Sequence, residues 1–206
     1  ATGRISVVEI NVTKRDITVA KDYQERPKGH ARQVGLECLG AGVDLLVEKP
    51  IAKKVTDANS IITVAREKNR ILQVGHVERF NPVVRAAKEI ATRPQFFEVH
   101  RLNIFSMRSL DIDVVLDLMI HDIDIVLSLV DSRVAEIRAV GIPVLSDRAD
   151  IANARIEFEN GCVANLTASR VSSEKVRKLR FFQPNDYVSL DFDRQKGHIL
   201  SLENKG

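Results

Sequence analysis

The spacing of apolar residues changes character along this chain. Between residues 30 and 90, short continuous apolar runs alternate with stretches of helical spacing. The runs "VDLLV" (43–47) and "ILQVG" (71–75) have the texture of parallel strands buried on both faces. Between them, "VTDANSIITVAREKNR" repeats Ala58, Ile61, Ile62 and Ala65 at helical spacing, with Thr56 as the expected N-cap and Asp57 in the first turn. Upstream, "HARQVGLECLGAG" predicts a helix that sets Val34, Cys38 and Leu39 near one face and stops at Gly40 or Gly42. A strand–helix–strand order of this kind predicts a parallel sheet. Asn81 followed by Pro82 predicts the cap and first position of a helix over 82–91.

After Arg93-Pro94 the pattern shifts. "QFFEVHRLN", "RVAEIRAVGI", "IANARIEFE", "CVANLTASR", "KVRKLRFFQ" and "YVSLDF" all read as strands, and one apolar helix is expected over about 113–130. Glu159-Asn160-Gly161 marks a tight turn between two of these strands, because Asn-Gly tolerates positive φ; Pro184-Asn185-Asp186 marks another. Residues 4–20 are mixed: "RISVVEI" and "DITVA" look strand-like, and the polar, turn-rich "KDYQERPKG" follows. The expected fold class is α/β plus α+β: a partial Rossmann-like parallel sheet over residues 1–93, then a mainly antiparallel sheet domain with one main helix over 94–206.

Composition adds bounds. The 206 residues are 44% hydrophobic and 29% charged, which suits one large or two small globular domains. A net charge of +3 carries no general nucleic-acid signature. The two cysteines, Cys38 and Cys162, have no zinc-like spacing and fit a reducing compartment. No stretch is long and apolar enough for a membrane span, and no signal peptide is visible, so a cytoplasmic protein is expected. The local charge peak is "RVSSEKVRKLR", Arg170 to Arg180. It reads as a strand with a solvated basic face, or as a contact for an anionic substrate group such as a diphosphate.

Two segments carry candidate chemistry. Glu48-Lys49-Pro50 follows a predicted parallel strand directly, and loops at the carboxyl ends of such strands are where open α/β sheets bind ligands. A lysine there can polarise a hydroxyl or relay a proton. In "VLDLMIHDIDIVL" (115–127), together with Asp113, the residues Asp113, Asp117, His121 and Asp124 fall at steps of four, four and three, one stripe of a helix. Val114, Leu118, Ile125 and Leu129 form the neighbouring apolar stripe. An aspartate four residues before a histidine can orient the ring, which makes His121 a candidate general base. A solvated acidic face, or a metal held by Asp117 and His121, would give the same spacing; the metal reading lacks a further His or Cys cluster. No G-x-S-x-G elbow is present for a serine hydrolase.

The strings "AGVDLLVEKPIAKKVTDA", "ILQVGHVERFNP" and "DVVLDLMIHDIDIVLSLV", in this order, resemble the Gfo/Idh/MocA family, the relatives of glucose–fructose oxidoreductase and inositol dehydrogenase. "CVANLTASR" and "KLRFFQ" extend the resemblance toward bacterial members that oxidise the 3-hydroxyl of UDP-N-acetylglucosamine. The resemblance implies hydride transfer from a sugar or nucleotide-sugar carbon to NAD or NADP. It implies that Lys49 contacts the reacting hydroxyl and the nicotinamide, that Glu48 and Pro50 shape the cofactor loop, and that His30 belongs to a further cofactor loop. Asp117 would orient substrate or base, and His121 would take the hydroxyl proton. Arg79 would lie at the cofactor and Asn81 at the substrate, with Arg170 as a further substrate contact and no metal.

The chain departs from that pattern in having no G-x-G-x-x-G string; Gly40-Ala41-Gly42 does not qualify, because position 45 is leucine. Residues 1–26 do not resemble the family, and "GHILSLENKG" stops short of its closing segment. The expectation is a truncated or frame-disrupted dehydrogenase with impaired cofactor binding. It is expected to associate with itself through the antiparallel sheet of 150–192, since a partial Rossmann domain leaves apolar surface uncovered. The alternatives are a non-catalytic oligomerising fragment and a recruited esterase-like hydrolase.

Overall fold

The computed structural model describes residues 8–12, 15–20, 30–107 and 112–201. The polar stretch 21–29 and the closing residues 202–206 lie outside the described residues. The chain divides into two compact units, Ala1–His76 and Val77–Gly206.

The first unit holds a four-stranded sheet in the order β1-β2-β3-β4. β1 (Val8–Val12) pairs antiparallel with β2 (Arg15–Ala20), so both strand-like stretches of the mixed N-terminal region are strands. β2, β3 (Asp44–Val47) and β4 (Leu72–Val74) run parallel. α1 (His30–Gly40) and α2 (Val55–Glu67) form the crossovers, which gives the expected strand–helix–strand order. Leu39, Leu45, Val47, Ile61 and Ala65 form its small core. α2 starts two residues earlier than its sequence suggests. Lys54 occupies the N-cap position without a side-chain cap, and Thr56 lies inside the helix, where its carbonyl accepts from the Ser60 hydroxyl.

The second unit is built on a seven-stranded sheet, ordered β11-β10-β9-β5-β8-β7-β6. Its strands are β5 (Phe96–Ile104), β6 (Val134–Ile142), β7 (Ile151–Phe158), β8 (Val163–Ser172), β9 (Val176–Gln183), β10 (Asp186–Asp191) and β11 (Lys196–Ser201). Every pairing is antiparallel except β5 with β8. Strict alternation of buried and less buried positions along β7, and along β8 as far as Ala168, shows one face of the sheet turned to the core. Gly161, at φ +84, turns the β7–β8 hairpin at the expected Asn-Gly. β11 has no counterpart in the sequence reading; its residues are all exposed and its apolar pattern is thin.

α3 (Pro82–Ile90) is capped as expected: Asn81 accepts from the Val83 N–H, and Pro82 stands in the first turn. The boundary anticipated at residue 93 therefore needs correcting. α3 belongs to the second unit, because Val83, Val84 and Ala87 join its core and Asn81 also donates to the Phe192 carbonyl. The division falls instead after His76.

Candidate functional site

In the first unit, the parallel strands β3 and β4 end beside one another. The Gly75 N–H donates to the Val47 carbonyl at 2.6 Å, so the chain leaving β4 is tied to the residue that precedes Glu48-Lys49-Pro50. These three residues are half-buried, and the Lys49–Pro50 peptide is cis. A Cβ at Gly75 would stand 3.2 Å from Glu48 Oε2, a close contact with the end of that side chain, and in ordinary contact at 3.4 Å with Glu48 Cα. At the other end of the pair, buried Asp44 accepts from the Ile71 N–H at 2.8 Å and fixes the entry of β4. His30 opens α1, across the crossover from β2.

The second unit carries Asp117 and His121 on one continuous helical segment whose first part is wide. Val115–Met119 form a π turn in which the Ile120 N–H reaches back five residues to Val115 O; α4 (Ile120–Leu129) continues from it. The Asp113 carboxylate accepts from the Leu116 N–H at 3.0 Å, so this member of the anticipated stripe caps the turn. In a regular helix a five-residue step rotates a side chain by roughly 140°. The wide turn absorbs that excess, so Val114 and Met119 both lie in the core, together with Leu118, Ile125, Val126 and Leu129. Asp117 and His121 are half-buried, one just before and one just after the π–α junction.

The remaining two aspartates of "HDID" are not a wet face. Asp122 is 1% exposed and forms a pair with Arg101 of β5, which donates through Nη2 at 2.7 Å and through Nε at 2.9 and 3.0 Å. Arg101 also lies over the Phe192 ring and 3.7 Å from Glu78. Burial pushes the Asp122 carboxyl up from its ordinary value, while the Arg101 guanidinium pulls against it; on Arg101, the buried carboxylate outweighs burial and keeps the guanidinium charged. Asp124 is gripped by Arg79, from the short 3-10 turn Val77–Phe80, through Nε and Nη2 at 2.6 Å each.

Three expectations change in consequence. Arg79, anticipated at the cofactor, spends its fork on Asp124. Asn81, anticipated at the substrate, divides its amide between the α3 cap and Phe192. Arg170, anticipated as an anion contact on a solvated strand, is 4% exposed; it donates to the buried Asp150 at 2.7 Å, to the Ile112 carbonyl at 2.7 Å and to the Ser146 hydroxyl at 3.1 Å. A buried arginine takes the nearest carboxylate, and strand periodicity alone does not tell an inward arginine from an outward one. Sequence reasoning missed Arg101 and Asp150. The signal available was period-two alternation, which puts Arg101 in phase with the inward Phe97 and Val99. Among the described residues no cluster of three His, Cys, Asp or Glu could hold a metal, and no helix is long and apolar enough to cross a membrane.

The loops at the carboxyl ends of β3 and β4 lie where open α/β sheets bind ligands, and Lys49 places a charged side chain there. The chain has no G-x-G-x-x-G string to cradle a pyrophosphate.

Comparison with known proteins agrees with these two units. Residues 19–76 match the oxidoreductase family with the NAD-binding Rossmann fold, and residues 91–183 match the GFO/IDH/MocA C-terminal domain. UDP-N-acetylglucosamine 3-dehydrogenase of Acidithiobacillus ferrooxidans is 41% identical over 160 residues, which is 77% of this chain and 51% of that protein. The uncharacterised oxidoreductase YrbE of Bacillus subtilis is 30% identical over 156 residues, 68% of this chain and 46% of that protein. The chain thus spans about half the length of these curated relatives. Among solved structures, the Acidithiobacillus ferrooxidans enzyme superposes with a TM-score of 0.81 at 38% identity, covering 86% of this chain and 59% of that one. An inositol dehydrogenase homologue of Azotobacter vinelandii, complexed with NADH and myo-inositol, shares the fold at a TM-score of 0.74 and 14% identity, over 86% of this chain and 54% of that one. With both domain types present in family order, this chain belongs to the Gfo/Idh/MocA family of oxidoreductases.

Proposed function

We propose that this chain is a dehydrogenase that oxidises a sugar hydroxyl, with a nucleotide sugar such as UDP-N-acetylglucosamine as the substrate. The observation that carries this reading is the half-buried Asp117 and His121 at the π–α junction, on a helix whose other acidic residues are neutralised by arginines. π turns inside α-helices are rare and concentrate at functional sites. A histidine four residues after an aspartate on one helical face is a suitable candidate for a general base.

In this mechanism His121 accepts the proton of the substrate hydroxyl, and Asp117, four residues earlier, orients the substrate or the ring. A bound NAD or NADP supplies the carbon that receives the hydride from the substrate. Glu48, Lys49 and Pro50 of the first unit would hold the nicotinamide end of that cofactor, with Lys49 supplying a positive charge. His30 serves the cofactor at the head of α1. The 41% identical relative named for UDP-N-acetylglucosamine supports the substrate class.

We also propose self-association. The exposed apolar residues Ile137, Val140, Ile142, Val144 and Leu145 gather on β6 and the loop after it, beside the strands of 150–192. A strictly monomeric mass in light scattering contradicts that. Calorimetric titration with NAD, NADP and UDP-N-acetylglucosamine tests the functional reading. Saturable binding of a dinucleotide and of the nucleotide sugar is expected; silence toward all three overturns it.

A further inference from the structure

The strongest unexplained feature is the pair of ionic bridges on α4, one on each side of the candidate base. Asp122 and Asp124 are two residues apart, so they leave the helix in directions roughly 200° apart. One is pinned by Arg101 from strand β5, the other by Arg79 from the 3-10 turn. The helix is already packed through Leu118, Ile125, Val126 and Leu129, and the two bridges fix its polar flanks on nearly opposite sides. Asp124 stands three residues after His121, on the same helical face, so the Arg79 fork fixes the turn that carries the imidazole. The turn supplying Arg79 is itself anchored, because its neighbour Glu78 lies 3.7 Å from Arg101 and 3.9 Å from Arg177.

We infer that Arg79 is a positioning residue for His121, acting through its two-point grip on Asp124. This inference rests on the dehydrogenase reading and deepens it. Bidentate Arg–carboxylate pairing fixes direction as well as distance, which a lysine in the same place cannot do. Arg79 is half-exposed but its partner Asp124 is buried, so Arg79→Ala is compared with Arg79→Lys, which keeps a positive charge beside that carboxylate. The inference also accounts for the "ERF" string directly after the unit boundary: Glu78 and Arg79 bind the helix assembly of the second unit within two residues of its start.

The test uses the full chain with Arg79→Ala, Arg79→Lys and His121→Gln. The imidazole Cε1–H signals of the five histidines are recorded by NMR, with His121 assigned from its loss in His121→Gln. The expected result is a displaced His121 signal in both Arg79 variants. Turnover with NAD and UDP-N-acetylglucosamine should fall by about ten- to a hundredfold in kcat while both KM values hold, since a small misplacement of a reacting group costs that much. A variant that fails to fold is replaced in the comparison by Arg79→Lys, which keeps the charge and loses only the fork. An unmoved His121 signal in Arg79→Lys, with turnover still abolished by His121→Gln, overturns the positioning role and leaves the dehydrogenase reading standing. A displaced signal with full turnover in His121→Gln supports the grip on the helix and overturns the reading of His121 as base.

Discussion

Replacing Asp150 by asparagine removes the charge at the centre of the most densely bonded polar site in the second unit. The Asp150 carboxylate is fully buried and accepts from the backbone N–H groups of Val144, Leu145 and Ser146 at 2.7–2.9 Å, from the Ser146 hydroxyl at 2.7 Å and from Arg170 Nε at 2.7 Å. Asparagine keeps the shape but leaves the Arg170 guanidinium buried without its counter-charge. Breaking a buried pair from one side costs about 3–5 kcal/mol. For a chain of this size that lowers the melting temperature by on the order of 10 °C. The pH dependence has a definite sign. Burial pushes the Asp150 carboxyl up, but the Ser146, Val144, Arg170 and Leu145 hydrogen bonds outweigh it and hold it well below the usual carboxylate range. The unfolded chain therefore binds the proton more readily than the folded one. The stabilisation is complete above an ordinary carboxylate pKa of about 4 and is lost as pH falls below it. Thermal unfolding followed by circular dichroism should show a wide gap between the wild type and Asp150→Asn at neutral pH, narrowing in acid. A variant that melts with the wild type at neutral pH, or a gap that does not change in acid, refutes the reasoning.

Other sites give further expectations. Asn81→Ala loses the α3 cap and the bond to Phe192, and urea denaturation should show a loss of about 1–2 kcal/mol. Gly75→Ala displaces the Glu48 carboxylate by a few tenths of an ångström, so nucleotide affinity measured by calorimetry should fall while the melting temperature stays close to wild type. The Cys162 thiol is buried and pushed up to about 11, mainly by burial; mass spectrometry after alkylation at mildly basic pH should find it unmodified in the folded protein and fully modified after denaturation.

The strand–helix–strand half was readable because parallel strands leave continuous apolar runs; "VDLLV" forms a buried one, whereas β4 of "ILQVG" stands at the end of the described sheet with Gln73 exposed. The α3 cap was readable because Asn-Pro has one strong local meaning. The π turn was not. Its residues keep an apolar helical texture, and the extra residue per turn is set by packing Val114 and Met119 into one core. The pairing of Asp122 and Asp124 was hidden for another reason. Their partners lie 21 and 45 residues away, and local periodicity carries no information at that range. Lys49, Asp117 and His121 were named as candidates from spacing and family pattern; that Arg79, Asn81 and Arg170 bond within the fold could not be read, because an arginine or asparagine reads alike whether it meets a ligand or its own fold.

The central claim is that His121 is the base of a nicotinamide-dependent sugar oxidation. Its most direct test is the rate of reduced-nicotinamide formation from NAD and UDP-N-acetylglucosamine, followed by absorbance for the wild type and His121→Gln at equal concentrations of folded protein. A wild-type rate that falls by about 10²–10⁴-fold in the variant, with cofactor binding retained, is the predicted result. Equal rates in the two proteins would contradict it.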